Sequence, residues 1–125
     1  MAKQDNDFPA RVKDVLAKRA GMKCSNPDCR VTTSGPRDDP TKSVNVGEAA
    51  HITAASPGGP RYDQSLTPEQ RRAIGNAVWL CQRCHTLVDQ DERHYTVALL
   101  RQWKTDAEAS ARHELETGRP ASRRE

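Results

Sequence analysis

Large apolar side chains are scarce in this sequence. One Phe, two Tyr and two Trp are all the aromatics in 125 residues. So lean a supply builds only a thin core, in the size range where small domains depend on a metal or another cross-link. Long apolar runs are missing too, which excludes a membrane-spanning helix. The opening segment MAKQDNDF has no apolar stretch of the kind a secretory signal needs. The expected location is therefore cytoplasmic, where disulfides are rare. Neither sign of charge dominates, since 20 Lys and Arg face 17 acids for a net charge of +3. That balance is compatible with a nucleic-acid partner and does not require one. Internal repeats and low-complexity blocks are also absent.

The residues present read as one domain of mixed elements. Asp5, Asn6 or Asp7 can cap a first helix with Pro9 in its first turn, and Phe8, Val12, Val15 and Leu16 recur at helical spacing up to Gly21. The segment TTSGPRDDPTKS reads as an exposed loop. VNVGEAAHIT, residues 44–53, has strand character, with Val44, Val46 and Ile52 on one face and His51 on the other. Gly47 and the adjoining alanines point to a bulge or a close backbone approach. TPEQRRAI predicts a short helix with Thr67 as cap, Pro68 first and Gln70 completing a capping box. NAVWLC, residues 76–81, predicts a second strand, followed by a brief helix carrying CHTLVDQ. A longer helix runs from Thr96 to about Glu116, with Leu100, Trp103, Ala107 and Ala111 on one face. Glu108 and Arg112 are placed to pair on its exposed side. Tyr95 and Trp103 read as core, and His94 and His113 as solvated. The chain divides into a tail (1–7), a domain (8–117) and a polar tail or linker (118–125).

The chemistry concentrates in the cysteines and in the residues directly after them. Cys24-x4-Cys29 and Cys81-x2-Cys84 are two short chelating turns from distant parts of the chain, the arrangement of a four-thiolate zinc site. A redox Cys-x-x-Cys lacks its usual βαβ setting here. His85 comes immediately after Cys84 and is left over, because adjacent side chains diverge and rarely serve one tetrahedral ion. On a helix, His85 and Asp89 share a face, which makes half a site for a divalent cation.

The order His51, Asn76, His85, threaded through the two cysteine pairs in GEAAHI and GNAVWLCQRCH, resembles the HNH endonucleases of the ββα-metal class. GGPRYD and LVDQD…Y…LL..WK are especially similar to the HNH domains of bacterial anti-phage effectors, in which such a nuclease can be joined to a second-messenger sensor. The resemblance spans about residues 10 to 108. It implies an α+β fold with a zinc-stapled ββα-metal core between N- and C-terminal helices. It implies metal-dependent hydrolysis of DNA phosphodiesters, chiefly in duplex DNA, as an effector of anti-phage defence. His51 would be the general base, suited by its near-neutral pKa. Asn76 would orient His51, His85 would bind a catalytic Mg²⁺ or similar ion, and Arg61 would grip a phosphate. Many HNH enzymes carry a metal ligand immediately before the base, where this chain has Ala50. Asp89 is the first candidate to replace it. Glu48 is the second, on the strand face opposite His51. The implied partners are DNA and a sensor domain or partner subunit, with no membrane and weak self-association. The rival reading is a non-catalytic zinc-stabilised module that binds DNA or protein.

Overall fold

The structure, a computed structural model, describes residues 7–121. The expected caps Asp5 and Asn6, most of the first tail and half of the second lie outside that range. Helix α1 (Ala10–Arg19) has Pro9 at its N-cap position with no side-chain cap, whereas the sequence predicts Pro9 inside the first turn. Asp7 instead accepts a bond from the Phe8 amide (2.8 Å). The helix ends at Gly21, whose φ of +70° lets the amides of Gly21 and Met22 turn back to the carbonyls of Lys18 and Ala17. Its inner face is Leu16, Ala17 and Ala20, and Val15 points outward at 39% exposure, so the predicted apolar stripe is rotated.

The expected long loop contains a hairpin instead. Strands β1 (Ser34–Pro36) and β2 (Ser43–Asn45) pair antiparallel, Ser34 opposite Asn45. The predicted strand 44–53 is broken at Val46, and its second half becomes β3 (Gly47–His51) in a different sheet. The break has a local cause. The Asn45 side chain bonds both the amide and the carbonyl of Gly47, while Val46 spends its amide on Thr33.

Helix α2 (Pro68–Arg71) carries the predicted capping box of Thr67 and Gln70. A 3-10 turn (Ile74–Asn76) leads into β4 (Ala77–Cys81), which is buried throughout and pairs antiparallel with β3. Helices α3 (Gln82–Gln90) and α4 (Val97–Thr117) come next, the latter capped by Thr96 and closed by Gly118 at φ +70°. Among the described residues the fold is therefore α+β, with two small antiparallel sheets and four helices. None of those helices is long and apolar enough to cross a membrane.

The β3–β4 ribbon divides the core in two. Gly47, Ala49 and His51 alternate with Glu48 and Ala50, and the register sets Ala49 opposite Trp79 and Ala50 opposite Val78. One face packs Ala77 and Trp79 against Phe8, Leu16, Ala17 and Ala20. The other packs Ala50, Val78 and Leu80 against Val88 of α3 and Leu100 and Trp103 of α4. Tyr95 meets Trp103 edge-on at 5.7 Å, as its core reading requires. Glu108 does not pair with Arg112. It bonds Arg19 of α1 (2.7 Å) and lies 3.7 Å from Lys104, which leaves Arg112 to Glu116. The inter-helix partner wins because Arg19 offers a two-pronged guanidinium fork to the carboxylate.

Candidate functional site

The four cysteines meet. The turn after α1 supplies Cys24 and Cys29, and the β4–α3 junction supplies Cys81 and Cys84. All four sulfurs lie within 4.8 Å of one another. Tetrahedral zinc with Zn–S bonds of about 2.3 Å sets its sulfurs about 3.8 Å apart. The Cys29 and Cys81 sulfurs are 3.9 Å apart, too far for a disulfide and right for a shared ion. Two N–H donors face the sulfurs. The Cys84 amide points at the Cys81 sulfur (3.4 Å), and the Asn26 amide group points at the Cys84 sulfur (3.5 Å). Burial pushes the Cys24 and Cys84 thiols up, Cys84 to about 11. For Cys81 burial acts the same way, but hydrogen bonds from the Cys84 amide and the neighbouring thiols outweigh it and bring the group below its usual value. A cation in the middle would reverse the cost of deprotonation for all four. This group can hold a metal ion such as zinc.

Beside it, on the α3–α4 face of the ribbon, His85 stands between two carboxylates. Its Nδ1 is 2.6 Å from Glu48 Oε1 and its Nε2 is 3.0 Å from Asp89 Oδ2. The Asp89 contact is the one helical spacing predicts. Glu48 comes from β3, and α3 packs on the ribbon face that Glu48 shares with Ala50. The His85 ring is raised to about 9, first by its bond to Asp89, against burial, and then by its bond to Glu48. Burial pushes Asp89 up, but the bond and charge of His85, joined by Arg61, hold it below the usual carboxylate range. At neutral pH the trio is thus an imidazolium flanked by two acids. Strung along a line, the three do not focus on a common point as the cysteines do.

Arg61 departs most from its sequence reading. The expected phosphate grip has a side chain only 4% exposed. Its guanidinium donates to the carbonyls of Ile52 (2.7 Å), Val88 (2.7 Å), Tyr95 (3.3 Å) and His51 (3.3 Å) and to Asp89 Oδ1 (3.1 Å). With its donors turned inward, it has none to offer a phosphate. Asn76 also acts differently from expectation. Its amide oxygen accepts from the Thr53 amide and hydroxyl, and its NH₂ donates to the carbonyls of Thr53 and Arg71, all between 2.9 and 3.0 Å. Those four bonds exhaust the amide, so Asn76 fixes the backbone just beyond His51 and does not hold its ring. The His51 ring lies against Phe8, stacked at 4.0 Å and 20°, on the α1 side of the ribbon's end. Sequence spacing carries no signal for the Phe8 stack or for Glu48 as a full partner of His85, because both are contacts between elements.

No family model matches this chain, and no curated protein matches it.

Proposed function

We propose that this chain is a metal-dependent endonuclease of HNH type that hydrolyses DNA phosphodiesters, on a frame held by zinc at Cys24, Cys29, Cys81 and Cys84. One observation supports the reading: a strand–strand–helix unit gathers His85, Asp89 and Glu48 on one face of the ribbon whose first strand ends at His51, and Arg61 joins the His51 carbonyl to Asp89. Asp89 and Glu48 then supply the negative charge that Ala50 cannot. His85 and Asp89 would hold the divalent ion with Glu48 adjoining, and a bound Mg²⁺ would stabilise charge on the phosphate and the leaving oxygen. His51, at the rim of the ribbon, would take the proton of the attacking water at a ring nitrogen. Phe8 limits the tilt of that ring, and Asn76 fixes the turn beyond it. A place as effector in anti-phage defence, with a sensor domain or subunit as partner, belongs to the same proposal.

The rival reading, a zinc-stabilised binding module, draws on a different feature of the same cluster. Arg61, Asp89, His85 and Glu48 already satisfy one another without an ion.

Plasmid cleavage separates the two. Purified protein with supercoiled plasmid and Mg²⁺, Mn²⁺ or Ni²⁺ is expected to yield nicked DNA. His51→Ala and His85→Ala should each lose at least about a hundredfold in rate, in line with removal of a general base or a metal ligand, and both should retain zinc and fold. A His51→Ala variant as active as the parent removes His51 from the chemistry. Binding of DNA without cleavage under all three metals favours the module.

A further inference from the structure

We infer that Arg61 is a positioning residue, a buried brace that fixes the His51 end of β3 against the carboxylate side of α3. The inference rests on the nuclease reading for its consequence and on geometry for its substance. Three segments must keep register for the cluster to exist: the end of β3, the C-terminal half of α3, and the turn into α4. One guanidinium bonds all three. It takes the carbonyls of His51 and Ile52 from the first, the Val88 carbonyl and the Asp89 carboxylate from the second, and the Tyr95 carbonyl from the third. The Ile52 carbonyl lies just past the β3–β4 ladder, the Val88 carbonyl in the last turn of α3 and the Tyr95 carbonyl in the turn before α4, so all three need donors from outside those ladders.

The loop carrying Arg61 is shaped for this job. Arg61 adopts φ +58°, a left-handed conformation that a side chain of its size rarely takes. Its amide is pinned by Glu92 Oε1 at 2.8 Å, so the backbone is clamped from the same turn that the side chain braces. Two residues earlier, a Cβ on Gly59 would fall 2.5 Å from the Ala54 Cβ, so only glycine lets the loop lie this close to the chain leaving β3. Strain of this kind persists only where surrounding contacts outweigh it. By holding Asp89 Oδ1, Arg61 also leaves Oδ2 aimed at His85.

A brace and a phosphate grip predict opposite behaviour. Lysine keeps the charge and can still hold a phosphate, but one ammonium cannot serve four carbonyls and a carboxylate spread across a fork. The experiment compares wild type, Arg61→Lys and Arg61→Gln as intact zinc-loaded proteins. It reads kcat and KM for plasmid, the salt dependence of KM, and amide hydrogen exchange by segment. Both variants are expected to lose about tenfold to a hundredfold in kcat, the scale of a misplacement of about 1 Å. KM and its salt dependence should be unchanged. Exchange should accelerate at least about tenfold in residues 50–54 and 86–92 and stay at the wild-type rate around the cysteines. Arg61→Lys with wild-type kcat, or raised KM with a shallower salt slope, overturns the brace in favour of a phosphate contact. Unchanged exchange in the two segments also overturns it, and so does unfolding of both variants with loss of zinc, which would make Arg61 part of the general scaffold. If wild type cleaves nothing, the nuclease reading fails, and the exchange result alone still decides whether Arg61 is the brace.

Discussion

On the proposed nuclease reading, His85 has two claimants, a proton and a metal. With its pKa raised to about 9, the folded protein keeps the ring charged at pH 7, while the unfolded chain holds it near the ordinary 6.5. The stabilisation is therefore complete below about pH 6.5 and is lost as pH rises through about 9. In zinc-loaded protein without other divalent ions, stability should fall across that window, and His85→Gln should flatten the slope. A metal would need a nitrogen that the proton occupies, so the flanking acids that would attract an ion also retain its competitor. At limiting Mg²⁺, cleavage should rise by up to about tenfold per pH unit between 7 and 9, and saturating Mg²⁺ should flatten the profile. Rates measured at low and high metal across that range check the competition. A pH profile independent of metal concentration would remove His85 from the ion.

The Trp79 ring lies so close over Gly47 that the β3–β4 ribbon has no room for a side chain there. A Cβ on Gly47 would lie 2.3 to 2.8 Å from the Trp79 ring. That ring is 5% exposed and its Nε1 donates to Thr33, so it has little room to retreat. Gly47→Ala should therefore destabilise by about 1–3 kcal/mol, the cost of overpacking a filled site. Chemical denaturation compared with Gly35→Ala, where an added Cβ meets nothing within 4 Å, checks it. The sequence marks Gly47 as a bulge or close approach but cannot name the group that approaches. Alternation likewise separates Glu48 from His51 correctly, and for that reason ranks Glu48 second to Asp89. What alternation lacks is the side on which α3 packs. That side is decided by Val88 meeting Ala50, Val78 and Leu80, and it makes Glu48 the neighbour of His85.

At the scale of the whole molecule, the core is small and in two parts, and the four cysteines beside it can hold an ion. Each core half buries few large side chains, and the two lie on opposite faces of a two-stranded ribbon. The cysteine group links the segment after α1 to the start of α3, across the ribbon. Zinc-finger peptides gain an apparent binding energy of about 10–16 kcal/mol from such a site, as large as the whole stability of a typical domain. Pure protein is expected to carry one zinc per chain. Chelation, or Cys81→Ser, should abolish cooperative unfolding and expose the core. Metal analysis with circular dichroism checks this, and a folded, reduced, metal-free protein would show that the thin core suffices alone.

Spacing along the chain was enough for the elements whose causes are local. The capping box at Thr67 and Gln70, the stop at Gly21, the strand into Cys81 and the long helix closed by Gly118 each depend on residues within a turn of one another. The two cysteine turns were legible for the same reason, since chelating spacing is a local property. The β1–β2 hairpin was hidden because Gly, Pro and Asp are read first as loop residues, and its pairing comes from contacts between Pro36 and Ser43 and beyond. Only the tertiary structure could decide the rest. Arg61 is a charged side chain that sequence assigns to phosphate, yet the fold surrounds it with carbonyls from the end of β3, the end of α3 and the turn before α4. Asn76 spends its amide on Thr53 and Arg71, Phe8 covers His51, and Glu48 reaches His85, because each contact joins residues that only packing brings together.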